Sequence, residues 1–315
     1  MKVVRSERHI ISKNHKMFNI VDDFCFKSKN LYNYANYIIR QEFIKNGKYI
    51  SYNEMAKNIK QHESFMEIGS NSAQQTLRLL DKNWKSFFKS IKDWGKNKDK
   101  YLGKPRIPKY LPKDGRFFLG MTNTQTRIKN GFLYFSFIPF KPFNNLIKTN
   151  VSEKHMQTRF IPKADHYVLE IVFEKELNGV NCSDNERIIG IDLGLNRFAT
   201  IQNNCGLPAF SINGGKIKAI NNYYNKEVAK HQSIANKINN QKWTNRLQRL
   251  TTKRNNKLEY FMHISSRYIA NYCIDNNIDT VVIGYNEEWK QKINIGKATQ
   301  HFVNIPYDNF VNKLT

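Results

Sequence analysis

The sequence predicts an α+β chain of more than one domain, and three observations predict it. Apolar residues recur at helical spacing through the first hundred positions. Strand-like runs separated by turn residues follow a proline-rich break. From Arg187 onward, short apolar runs and one long stretch free of glycine and proline make an α/β pattern. The length agrees, since 315 residues is a prior for about two domains of roughly 150 residues with sizeable cores.

Each element follows from local signals. Leu31, Tyr34, Ala35 and Ile38 share a helical face, and Gly47 ends that run. Ser51 with Glu54, and Ser72 with Gln75, have capping-box spacing and are expected to open two further helices. The second continues through Leu77, Leu80, Trp84, Phe87, Phe88, Ile91 and Trp94, an apolar stripe read as core. Pro105, Pro108 and Pro112 remove donors and fix the backbone, so Gly103 to Pro112 reads as an extended basic linker. Beyond it, Asn130-Gly131 is the strongest two-residue hairpin signal. A second strand pair is expected around Lys163-Ala164-Asp165, and the whole β segment reads as a small barrel or sandwich.

The run Ile188-Ile189-Gly190-Ile191-Asp192-Leu193-Gly194 reads as a strand buried on both faces. Phe198 to Gln202 and Ala209 to Ile212 are its expected antiparallel neighbours. Lys216 to Ile283 holds no glycine or proline over 68 residues, so most of it is expected to be helical. Leu258, Phe261, Ser265, Tyr268, Ile269 and Tyr272 are read as one face of the later half. Thr280 to Ile283 then returns to buried strand, giving a sheet of mixed direction.

Charge narrows the function. There are 51 Lys plus Arg against 26 Asp plus Glu, a net +25 that repels itself unless a polyanion is present. Two segments concentrate it. Lys82 to Arg116 has 12 basic and 3 acidic residues, and Lys216 to Lys257 has 11 basic and one acid, Glu227. Phosphate contact is the reading for both, against the alternative of a merely solvated face. Lys104, Arg106 and Lys109 on the linker, and Lys253, Arg254 and Arg267 further on, are the candidate backbone contacts. No apolar run approaches the length of about 18 to 20 residues that a membrane span needs, and the N-terminus has no apolar core of a secretory signal. Cys25, Cys182, Cys205 and Cys273 form no Cys-x-x-Cys pair, which fits reduced cytosolic thiols and no zinc site within the chain.

Asp192 is the candidate catalytic residue and magnesium ligand. A carboxylate on a central apolar strand needs a compensating cation, and hard oxygen ligands suit Mg²⁺. Phosphodiester hydrolysis uses two such ions and hence several converging carboxylates. The alternative is a strand-end Asp capping a turn. A string of this kind also opens actin-like and sugar-kinase ATPases, a distant alternative weakened because Leu195-Asn196-Arg197 follow instead of hydroxyl residues.

Gly190 to Thr200 resembles the first RuvC-like motif of the TnpB (OrfB) proteins of bacterial insertion sequences. Lys29 to Asn33 resembles that family's N-terminal helix, and Gly103-Lys104-Pro105 with Pro108-Lys109-Tyr110 its linker. Arg254 with His263, Ser265, Ser266 and Arg267 resembles the helix before its second motif, and Val282 to Asn286 with Trp289-Lys290-Gln291 resembles one branch of the family. The resemblance implies an RNA-guided DNA endonuclease related to type V CRISPR effectors and historically labelled a transposase. Guide RNA and target DNA would be its partners, Mg²⁺ its cofactor, and the bacterial cytoplasm, with the nucleoid, its location. It also implies a helical recognition domain over 13–103, a β-rich wedge domain of oligonucleotide-binding type over 1–12 and 104–186, and a RuvC-like nuclease domain of RNase H type over 187–315.

Two departures from the family bear on activity. Where many members carry a catalytic Glu, this chain has Gly284, and Glu287 or Glu288 would serve only from a shifted backbone, if they are not plain loop acids. The family's zinc ribbon and third acidic motif have no counterpart through Thr315. The expectation is a RuvC-like domain incomplete at its C-terminus, with weak or no cleavage. A cleavage-deficient RNA-guided DNA-binding protein, or a decayed remnant, is the alternative.

Overall fold

The computed structural model describes residues 2–176, 186–239, 244–286 and 289–315. The chain divides into two compact units, Met1–Asn178 and Gly179–Thr315.

In the first unit the elements run β1 (Lys2–Ser12), α1 (Phe18–Asn46), α2 (Tyr52–Asn58), α3 (Glu63–Met66), α4 (Ser70–Lys96), β2 (Leu119–Thr122), β3 (Thr126–Lys129), β4 (Phe132–Phe135), β5 (Lys154–Pro162) and β6 (His166–Glu176). Gly47 ends α1 in the left-handed conformation (φ 66°), its N–H donating to the Phe43 carbonyl. Ser51 caps α2 by accepting from the Glu54 N–H. The cap expected at Ser72 lies elsewhere. α4 starts from Gly69 (φ 77°), and Ser72 is buried inside the helix, where its hydroxyl meets Gln125. A Cβ at Gly69 would come within 3.0 Å of the Phe137 ring, so position and backbone both demand glycine there.

The β segment is an open antiparallel sheet, β1-β6-β5-β2, beside the separate hairpin β3-β4, rather than a closed barrel. Asn130 (φ 51°) and Gly131 (φ 73°) make the hairpin turn, the double positive φ of a type I′ turn. Helices and sheet share one hydrophobic core: Phe24 of α1 packs edge-on against Phe137 and Phe140, which lies 5.6 Å from Phe160 of β5. The proline-rich linker is extended and lies along α1. Lys29, Asn33, Asn36 and Arg40, spaced three or four apart on that helix, all donate to carbonyls between Pro108 and Lys113.

In the second unit the order is β7 (Ile188–Leu193), β8 (Arg197–Asn203), β9 (Phe210–Asn213), α5 (Gly215–Asn239), α6 (Asn245–Asp275), β10 (Thr280–Gly284), α7 (Trp289–Lys292), α8 (Thr299–Val303) and α9 (Tyr307–Leu314). The sheet order is β10-β7-β8-β9, with β10 parallel to β7 and the rest antiparallel. β7 is not buried on both faces as its composition suggested. Ile189, Ile191 and Leu193 enter the core, while Ile188 and Asp192 on the other face are exposed. β10 is likewise mostly exposed, Val281 and Val282 included. On α6 the packed face runs Leu258, Met262, Ser265, Ile269, the true helical period, and Tyr268 falls outside it with its ring edge on Phe210.

Candidate functional site

Asp192 sits near the end of β7, in direct register with Thr200 of β8 and Gly284 of β10. Two glycines shape the turn that follows it. A Cβ at Gly194 would lie 2.8 Å from the Arg197 carbonyl oxygen, and one at Gly214 only 2.4 Å from that of Leu195. The Gly214 N–H donates to the Asn196 carbonyl at 2.8 Å, so two chain segments cross backbone against backbone beside the acid. The Asn196 side chain also accepts from Lys218.

Tyr307, fully buried at the start of α9, donates from its hydroxyl to the Gly194 carbonyl at 2.9 Å. Burial first, and then the negative charge of Asp192, push the Tyr307 phenol above its ordinary range. Lys290 lies 5.4 Å from the Tyr307 ring and donates to the Ile305 carbonyl. Burial lowers its ammonium's pKa, and the charge of Asp308 partly offsets this. Asp308 in turn accepts from the Tyr285 hydroxyl. Sequence reading missed Tyr307, because its link to Asp192 spans more than a hundred residues and carries no local motif.

The described residues alone do not supply the donor set of a two-metal centre. Among the described residues no three His, Cys, Asp or Glu side chains form a group able to hold a metal ion. Asp192 is exposed, so water replaces the desolvation that would demand a bound cation. Glu287 and Glu288 lie outside the described residues.

The cationic candidates divide by environment. Lys104, Arg106 and Lys109 are exposed on the clamped linker, and none pairs with a carboxylate among the described residues. Lys104 lies 5.8 Å from the Trp94 ring. Lys253 and Arg267 are exposed on α6, 14 residues apart and so about 21 Å along one side of it. Arg254 differs from them. Its Nε donates to Asn221 Oδ1 at 2.9 Å, Nη2 to the Asn304 carbonyl at 2.9 Å and Nη1 to Asn255 Oδ1 at 3.0 Å. Burial lowers its pKa, and its plane lies 5.4 Å from the Tyr224 ring. It is a tie between α5, α6 and the segment before α9.

These features coincide with a segment that is similar to one protein family. A family model described as OrfB_IS605, probable transposase, matches residues 171–290. The resemblance to the TnpB/OrfB family is thereby shown over the segment that carries Asp192 and both long basic helices. Two solved structures are similar in part. One is a Cas12f1–sgRNA–target DNA complex, 14% identical with a TM-score of 0.31, covering 99% of this chain and 81% of that one. The other is a CRISPR-Cas12f ternary complex, 13% identical with a TM-score of 0.34, covering 94% and 69%. No curated protein matches the chain. Among the described residues no helix is long and apolar enough to cross a membrane.

Proposed function

We propose that this chain is a TnpB-type protein that binds a guide RNA and, through it, target DNA, with weak or no cleavage of its own. The observation that carries the reading is the family match, which spans the Asp192 strand together with α5 and α6. The net charge of +25 supplies the counter-charge that an RNA–DNA heteroduplex requires. In this reading the exposed cations of the linker and of α6 follow phosphate backbones, base pairing reads the sequence, and the chain works in the bacterial cytoplasm at the nucleoid.

Asp192 is the proposed remnant of the nuclease centre. Mg²⁺, when several carboxylates hold it, would supply charge stabilisation for phosphodiester hydrolysis. With Gly284 in register beside it, Asp192 lacks a neighbouring acid on β10. The test is to purify the chain with the RNA that accompanies it, sequence that RNA, and offer matched and mismatched DNA duplexes with Mg²⁺. Binding that follows complementarity without a cut product is expected. Binding indifferent to complementarity would overturn the guided reading. Efficient cutting that Asp192→Ala abolishes would overturn the cleavage-deficient part.

A further inference from the structure

The facing sides of α5 and α6 enclose a cleft of about 200 Å³ whose walls combine aromatic, aliphatic and cationic groups. Its floor is fixed. The Tyr224 hydroxyl meets Thr251 Oγ1 at 2.9 Å, and the Arg254 guanidinium lies over the Tyr224 ring with all three nitrogens engaged by Asn221, Asn255 and the Asn304 carbonyl. Its mouth is different in kind. Tyr223 is 57% exposed, and Lys253 and Lys257 are exposed beside it without a carboxylate partner among the described residues. Glu227, one helical turn beyond Tyr223, already faces His231 at 3.6 Å. Among the described residues no acidic side chain lines the cleft.

A ligand matching these walls is flat and apolar on its faces and negatively charged where it leaves the cleft. A nucleotide with its base unstacked has that shape and charge. Bases within a duplex cannot enter, because both their faces are covered by neighbours. We propose that this cleft takes one unpaired base of a single-stranded nucleic acid, stacked on Tyr223, with its flanking phosphates on Lys253 and Lys257. Every base presents a π-face, so such a pocket tolerates sequence while selecting strand state. The inference rests on the nucleic-acid-binding reading above and adds to it a place and a strand preference.

The test uses the full chain with two fluorescent probes of equal length and phosphate count, an oligothymidine and a wholly abasic strand. Tyr223→Ala should weaken oligothymidine binding about five- to hundredfold, the range of one base–aromatic stack, and leave the abasic strand unaffected. Tyr223→Trp should retain binding, which separates stacking from a folding defect. Lys253→Ala should weaken both probes and lower the salt dependence by about one counterion. If the wild-type chain binds the oligothymidine and Tyr223→Ala changes nothing, or weakens both probes equally, the base pocket is wrong while nucleic-acid binding stands. If the wild-type chain binds neither probe, both readings fall.

Discussion

Asn33 holds Leu111 by both ends of its side-chain amide: Oδ1 accepts from the Leu111 N–H at 2.8 Å, and Nδ2 donates to the Leu111 carbonyl at 3.0 Å. One turn along α1, Asn36 donates to the Pro108 and Lys109 carbonyls while accepting from Trp84 Nε1 at 3.0 Å. A segment with three prolines has few N–H groups and cannot build its own ladder. The helix completes it instead, which fixes the backbone from Pro108 to Lys113, Lys109 included. Lys109 is thus presented without the entropy cost of ordering a loose linker on binding.

Asn33→Ala should therefore cost about 1–3 kcal/mol, because it strips a paired donor and acceptor from the linker. Hydrogen exchange should show protection lost at the Leu111 amide before any change in the core of the same unit. Unchanged protection there would mean that the clamp does not order the linker.

A second anchor is acid-sensitive. Arg116 grips both Asp22 oxygens at 2.9 and 2.7 Å, and the Tyr167 hydroxyl donates to Oδ1 at 2.6 Å. The Arg116 bond first, and the Tyr167 bond with it, hold the Asp22 carboxyl below its ordinary range against the opposing effect of burial. A depressed folded value stabilises the protein above the unfolded carboxyl pKa of about 3.9, and that stability is lost as pH falls through the folded value. Asp22→Asn should be less stable than wild type at pH 7 and should lose less as pH falls below about 4. Denaturation followed by exchange protection in this unit reads it. Parallel wild-type and variant profiles would refute the linkage.

Gly284 offers a gain-of-function test. A Cβ there would meet only the Ile191 carbonyl at 3.5 Å, an ordinary contact, and the position is in register with Asp192. Registered neighbours on adjacent strands point to the same face about 4.8 Å apart, so Gly284→Glu should place a second carboxylate beside Asp192. At this exposed site the change should cost within about 0.5 kcal/mol. Mg²⁺ should then raise the Tm of the variant but not of the wild type, and adding Asp192→Ala should remove that response. An equal Mg²⁺ response in all three proteins would show that the two positions do not cooperate.

Where the signal was local, the fold was legible: Asn130-Gly131 needs positive φ twice, Gly47 ends a helix, and 68 residues without a breaker hold two long helices. Asp192 stands out as a candidate for the same reason, since its glycine-flanked string is contiguous. What could not be read was pairing at a distance. Ser72 has capping-box spacing, yet Gly69 starts the helix because the Phe137 ring, far along the chain, packs where a side chain would be. Apolar composition likewise overstated the burial of β7 and β10, because β-branched residues suit an exposed strand as well as a buried one. Arg254 looked like its neighbour Lys253, and only the partners on α5 and before α9 distinguish them.

That distinction gives the sharpest prediction about the basic helix. Lys253→Ala removes an exposed charge with no hydrogen-bond or ion-pair partner among the described residues, so Tm should hold while the slope of log affinity against log salt falls by about one. Arg254→Ala removes three hydrogen bonds, takes the donor from Asn221 Oδ1 and leaves the Asn304 carbonyl to the long 3.5 Å bond from Asn221 Nδ2, so it should lower stability by about 1–3 kcal/mol. Because its guanidinium is already engaged, Arg254 should contribute little to the salt slope once the variant is compared at a temperature where both proteins are folded. Arg254→Lys should not rescue stability, since an ammonium cannot reproduce the planar fork that reaches three acceptors at once. A salt slope that drops by a full unit in Arg254→Ala, with Tm unchanged, would reverse the assignment and make Arg254 a phosphate contact.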